Sequence, residues 1–189
     1  MTRTQTSRLV LAMAGIGVLA IAFGTVHFTR PAWYQRFWYP LRYGEIVRGH
    51  AYNYDLDPAL LAAVIYQESK FESHARSDRG AIGLMQLLPE TAKGIAARTG
   101  GLKFRVADLY NPEINVRYGA WYLEHLMRKY GDERAALAAY NAGQANVDSW
   151  RRRGLPVQFE ETRHFVDRVE KLKGIYRDAY SSLRLHNDT

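Results

Sequence analysis

Cysteine is absent from all 189 residues. That absence excludes disulfides, a thiol nucleophile, cysteine-ligated zinc and a lipidated cysteine of the lipoprotein type. Sustained alternation of apolar and polar residues is also missing, so strands are expected to be few or absent. There is no internal repeat and no low-complexity tract. The histidines His27, His50, His74, His125, His164 and His186 form no H-E-x-x-H pattern, and Glu124-His125 is an isolated pair. Neither a metal site nor a cofactor is expected. Acidic residues are the poorer charge class, 19 Asp and Glu against 26 Lys and Arg, giving a formal net charge of +7. A basic surface suits an anionic partner, whether nucleic acid, a membrane surface or an acidic cell-wall polymer, and it also serves plain solubility. Arg151-Arg152-Arg153 is the densest basic run. No nucleic-acid motif accompanies it, so it reads as a solvated helix end and nucleic acid is not expected as a partner.

Formal charge is lacking, too, from Leu9 to Phe28, a stretch of 20 residues. About 20 apolar residues cross a bilayer as a helix. Trp33, Tyr34, Phe37, Trp38 and Tyr39 follow, as in an interfacial aromatic belt. The expected organisation is a short cytoplasmic N-terminus at 1–8, a transmembrane anchor at 9–28, an aromatic-rich juxtamembrane linker at 29–42, a globular domain at 43–180 and a tail at 181–189. A cleaved signal peptide is the alternative, with an A-x-A-like site at Ala20-Ile21-Ala22; the apolar run continues past that site, which favours the anchor. Arg30, Arg36, Arg42 and Arg48 outnumber Arg3, Arg8 and the amino terminus. The positive-inside rule therefore opposes export of the domain that follows.

What is present from about Tyr43 onward is helix signal, joined by short Gly, Pro and Asn breaks. Asp57-Pro58 supplies a cap and a first helical residue, and Leu60, Leu61, Val64 and Ile65 mark one apolar face. Ser77 to Gly83 reads as a turn-rich loop, and Pro89 opens a helix that Gly100-Gly101 can end. Asn111-Pro112 starts another, with Val116, Ala120, Leu123, Met127 and Tyr130 at alternating spacings of four and three, ending at Gly131. Asp132 caps a helix from Glu133 to Ala142, stopped by Gly143. A short turn with Val147 and Trp150 is expected before Gly154, then a long helix with the stripe Phe165, Val169, Leu172, Tyr176, Ala179 and Leu183.

Glu68 lies four residues after Val64 and seven after Leu61, so it projects from the apolar face at the end of its helix. Desolvation there raises a carboxyl pKa, the condition a general acid needs at neutral pH. The plain alternative is that the helix ends and Glu68 turns into solvent. Three further clusters carry polar chemistry: Gly83-Leu84-Met85-Gln86, Ala139-Tyr140-Asn141-Ala142-Gly143 and Glu160-Glu161-Thr162-Arg163. Each has a plain explanation as well: glycine turns, a core tyrosine, a helix C-cap, and acids suited to a helix N-terminal dipole.

In order, Glu68-Ser69, Gly83-Leu84-Met85-Gln86-Leu87, Ala139-Tyr140-Asn141-Ala142-Gly143 and Glu161-Thr162-Arg163 resemble the successive motifs of soluble-lytic-transglycosylase-like domains. Pro112 to Leu123, with Asn115, Gly119 and Tyr122-Leu123, resembles the helix between that family's second and third motifs. Phe165 departs from the pattern, standing where many members carry Tyr. The resemblance covers roughly residues 43–180. It implies an all-α, goose-type lysozyme-like domain with a two-lobed substrate cleft. It further implies cleavage of peptidoglycan between N-acetylmuramic acid and N-acetylglucosamine without water. The muramyl C6 hydroxyl attacks C1 and leaves a 1,6-anhydro ring, with Glu68 as acid and then base. By the same resemblance Ser69 bonds near the acid or the sugar, Met85 forms an apolar sugar wall, Gln86 and Asn141 hold sugar or acetamido groups, Tyr140 orients Glu68 or the N-acetyl group, and Glu161 lines the cleft. Such an enzyme would work outside the cytoplasmic membrane, held by the N-terminal helix, with glycan strands as its partner. A hydrolytic muramidase using the same acid and a non-catalytic peptidoglycan-binding or assembly module are the alternatives.

Overall fold

A computed structural model describes the backbone of residues 3–183 and the side chains of 13–183. Residues 1–2 of the expected N-terminal segment and 184–189 of the expected tail lie outside the described residues. The chain divides into two compact units, Met1–Pro40 and Leu41–Thr189.

The first unit holds α1 (Arg3–Thr29) and α2 (Ala32–Trp38). Met13, Ile16, Leu19, Ile21 and Phe23 stand exposed along α1. Among the described residues no single helix is long and apolar enough to cross a membrane. Met13–Thr29 and Ala32–Trp38 meet that test only as a pair, bent by 79°. Part of the stretch expected as a linker is thus helical, and Trp33, Tyr34, Phe37 and Trp38 pack ring edge to ring face along it.

The second unit contains α3 (Gly44–Asn53), α4 (Pro58–Ser69), α5 (Pro89–Thr99), α6 (Pro112–Tyr130), α7 (Glu133–Ala142), α8 (Gln144–Arg152) and α9 (Glu160–Ala179). Local chemistry sets most of these boundaries. The Asp57 carboxylate accepts from the Ala59 amide at 2.8 Å, with Pro58 as the first helical residue. Asn111 caps α6 and Asp132 caps α7 in the same way, while Gly100 and Gly131 close α5 and α6 in the left-handed region. Among the described residues the only β-type pairing is two isolated bridges, Arg76 with Ile82 and Ile82 with Leu87.

Helix α4 corrects one expectation. It does not present a single apolar face: every residue from Ala59 to Ile65 is buried. The alanines between the larger side chains let α3 and α9 close around it. Tyr176 of α9 meets Phe71 and Tyr66 with ring centroids 6.2 and 6.0 Å apart. Asp57 binds Arg177 at 2.5 Å and Lys173 at 3.6 Å, so the start of α4 meets the end of α9 and the two helices run antiparallel.

Two boundaries differ from the sequence pattern. The stretch around Val147 and Trp150 is a nine-residue helix rather than a turn, because both side chains are buried on one face of α8. Helix α9 ends at Ala179, and Leu183 is buried from a following 3-10 turn, Ser181–Leu183. Phe165 is buried in the core, whereas Arg151, Arg152 and Arg153 are exposed at the end of α8.

Candidate active site

The end of α4, the loop after it and the facing ends of α7 and α9 enclose a cleft of about 570 Å³. Glu68, Gln86, Tyr140, Asn141 and Glu161 all line it. The helix carrying Glu68 stops at once beyond it, because Lys70 and Phe71 adopt positive φ values of 54° and 63°. Glu68 itself is half-buried. Loss of solvation pushes its carboxyl pKa up to about 8, the Glu161 charge adds to the rise, and the Lys70 ammonium opposes it. Lys70 is tethered to the Tyr66 carbonyl at 2.8 Å and lies over the Tyr66 ring at 4.5 Å.

Ser69 is buried and turns away from the acid. Its hydroxyl lies 2.8 Å from the Leu84 carbonyl and 3.2 Å from that of Ile65. It ties the Gly83–Leu87 loop to the end of α4, a bracing contact where one to the acid or the sugar was expected. The loop closes on itself, with Ile82 and Leu87 exchanging backbone hydrogen bonds at 3.0 and 3.1 Å. Gln86 takes a positive φ of 48° and donates its amide NH2 to the Gly83 carbonyl at 2.9 Å. Its side-chain oxygen is the end left for a ligand.

Met85 does not wall the cleft. Its side chain is fully buried, seated on Gly119 of α6. A Cβ at Gly119 would lie only 2.8 Å from Met85 Cβ and Cε, so the hole that glycine leaves is what draws the methionine inward. The backbone of Met85 does the positioning instead. Its amide donates to Asn115 Oδ1 at 2.8 Å, and its carbonyl accepts from the Tyr140 hydroxyl at 2.7 Å.

Tyr140 is therefore held by its own proton. Burial first, and the nearby Glu68 charge second, raise its pKa well above the usual value, so the phenol stays neutral. Its oxygen retains lone pairs that can accept a hydrogen bond in the cleft. Asn141 Oδ1 accepts from the buried Thr162 hydroxyl at 2.7 Å, leaving the asparagine NH2 to donate. Glu161 is exposed in the first turn of α9.

Sequence reasoning assigned no role to the residue that braces this site most heavily. Asn115 is completely buried and makes three hydrogen bonds, accepting from the Met85 amide and donating to the carbonyls of Ile82 at 2.9 Å and Leu109 at 2.8 Å. A lone asparagine beside Val116, Tyr118 and Gly119 on a buried helix face was the signal that could have found it. Gly83 completes the fit: its φ is +80°, and a Cβ there would lie 2.8 Å from Asn115 Cγ. Thr162 went equally unassigned. Among the described residues no group of three His, Cys, Asp or Glu side chains is placed to hold a metal ion.

A family model described as "Transglycosylase SLT domain" matches residues 45–160. The chain is 30% identical over 151 residues to the soluble lytic murein transglycosylase of Salmonella typhimurium, covering 74% of this chain and 23% of that protein. It is 34% identical over 149 residues to the membrane-bound lytic murein transglycosylase C of Actinobacillus pleuropneumoniae, covering 72% of this chain and 39% of the relative. Among solved structures, the 70 kDa soluble lytic transglycosylase of Escherichia coli superposes with a TM-score of 0.72 at 25% identity, over 82% of this chain and 28% of that one. An inactive mutant of the lytic transglycosylase Slt from Pseudomonas aeruginosa gives a TM-score of 0.69 at 31% identity, over 79% and 26% of the two chains. The chain thus spans a quarter to two-fifths of the length of these relatives.

Proposed function

The chain belongs to the transglycosylase SLT-domain family, and on that premise we propose that it is a lytic transglycosylase of peptidoglycan. Glu68 protonates the oxygen of the bond between N-acetylmuramic acid and N-acetylglucosamine, and that bond breaks. The resulting carboxylate takes the proton of the muramyl C6 hydroxyl, whose oxygen bonds to C1 and closes the 1,6-anhydro ring. One carboxyl thus returns to its starting state without water. An intramolecular attack of this kind has a large effective-molarity advantage over an external nucleophile.

The observation that carries this reading is the Glu68 carboxyl, raised to about 8 within a cleft of about 570 Å³. It is protonated at neutral pH, as an acid must be, and close enough to neutrality to serve next as a base. In supporting roles the Asn141 NH2 donates to a sugar or acetamido oxygen, the Gln86 oxygen accepts from a sugar hydroxyl, and Tyr140 accepts from Glu68 or the N-acetyl NH. Glu161 lines the cleft. The N-terminal segment 9–28 anchors the enzyme in the cytoplasmic membrane with the cleft on the outer side; its exposed apolar side chains on α1 support that reading.

The test is mass spectrometry of products released from purified peptidoglycan by the full chain, with Glu68→Gln in parallel. Anhydro-muropeptides from the native chain alone are the expected result. Reducing ends would make it a hydrolytic muramidase. Binding without product from either chain would make it a binding module.

A further inference from the structure

The cleft does not stop at Tyr122. A depression of about 280 Å³ along the seam between α5 and α6 shares Thr91 and Tyr122 with it and reaches Arg98, Trp121 and His125. A second, of about 270 Å³, shares Ile95 and Trp121 with the first and reaches Arg117 and Tyr54. The α5 residues recur one turn apart, Thr91, Ile95 and Thr99, so the depressions form one track running along the two helices. From Thr91 to Thr99 a helix rises about 12 Å, the reach of three to four extended peptide units.

The track has its own chemistry. Trp121 lies flat against His125, with centroids 5.4 Å apart and planes within 1°. Arg98 contacts only the Gly94 carbonyl, at 3.3 Å, and Arg117 lies over the Tyr118 ring at 5.3 Å. Neither guanidinium has an acidic partner among the described residues. Glu90, which lines the first depression, pairs with Lys93 at 2.9 Å, and no acid is among the residues lining the second. Two unpaired guanidiniums beside flat aromatic walls suit a chain of amide planes bearing carboxylates. Uncharged acetylated sugars can accept hydrogen bonds from Arg98 and Arg117 but offer them no charge partner.

Resting on the function proposed above, we infer that the α5–α6 seam binds the carboxylate-bearing peptide branch of a peptidoglycan strand whose sugars lie in the cleft. Glycan enters past Glu68, and the peptide is laid over Tyr122 onto Trp121, with its carboxylates on Arg98 and Arg117.

The test uses the full chain in two backgrounds and two ligands: intact peptidoglycan, and glycan strands stripped of peptide by an amidase, with the lactyl carboxylates that the amidase leaves capped as methylamides. In the Glu68→Gln background, co-sedimentation reads binding alone. The double substitution Arg98→Gln with Arg117→Gln is expected to weaken binding to the intact polymer about ten-fold and to leave binding to stripped strands unchanged. Trp121→Phe should give a smaller loss with the same selectivity. Both arginines are exposed, so the double variant keeps its fold. Equal loss on both ligands would place sugars rather than peptide in the seam, and no loss on either would leave the seam unused; each overturns the inference. In the native background, absence of product from either substrate overturns the proposed activity, while the binding comparison still decides the seam.

Discussion

Helices α4 and α9 run antiparallel, and each delivers one glutamate to the same cleft from the opposite kind of helix end. Glu68 stands in the last turn of α4, where unpaired carbonyls leave a partial negative charge that disfavours a carboxylate. Glu161 stands in the first turn of α9, where the exposed amides favour one. Burial acts in the same sense, for Glu68 is half-buried and Glu161 is exposed. Chemically identical side chains thus meet different surroundings: burial pushes the Glu68 carboxyl up, and the Glu161 charge adds to that rise. The difference shows that the acid is made by its place in the fold rather than by its type.

The largest expected effect removes one member of the pair. Glu68→Gln should cost about 10²–10⁴-fold in turnover, the usual contribution of a general acid, whereas Glu161→Gln should cost under about ten-fold; equal losses, measured as anhydro-product release, would abolish the distinction. Next comes stability. A carboxyl whose pKa rises from 4.5 unfolded to about 8 folded gives stability that is full below the lower value and is lost as pH rises through the upper one. Glu68→Gln should therefore gain on the native chain by on the order of 2 kcal/mol between pH 5 and pH 9, after discounting for partial solvent access. Urea unfolding at the two pH values checks it, and an unchanged gap would refute it.

A smaller pair of effects has opposite signs. Activity that needs protonated Glu68 falls through a limb near pH 8. Removing the raising charge with Glu161→Gln moves that limb to lower pH, and removing the lowering charge with Lys70→Met moves it higher. Profiles of kcat/KM that shift in the same direction would disprove the electrostatic account. Smallest is Thr162→Val. Freeing Asn141 Oδ1 from its hydroxyl partner should raise KM a few-fold with little change in kcat, because one neutral hydrogen bond is worth about 1 kcal/mol.

How much of this was legible depends on how local the cause is. Asp57-Pro58, Asn111-Pro112 and Asp132 announced their helices because a cap acts over two or three residues. The placement of Glu68 at the end of an apolar helix could be read for the same reason. Helix α8 was hidden because Gly143 reads only as a stop, and burial of Val147 and Trp150, rather than propensity, forms the helix. Full enclosure of α4 was hidden in its alanines, which look neutral until a neighbour packs on them. Met85 misled because the hole it fills is made by Gly119, far along the chain. Gln86, beside it, does line the cleft.

The post beneath the loop has a consequence for how this sequence can vary. Gly83 makes room for Asn115, Asn115 holds the backbone of Met85, and the Met85 side chain fills the space Gly119 leaves one turn further along α6. Enlarging either glycine displaces its partner, and shrinking Asn115 strands the Met85 amide and the Leu109 carbonyl at about 1–3 kcal/mol each, while the Ile82 carbonyl keeps the Leu87 amide. No single replacement among the four leaves the others at rest. Residues in contact couple energetically, so a replacement at one of these positions is expected to be best tolerated together with a compensating change at its neighbour.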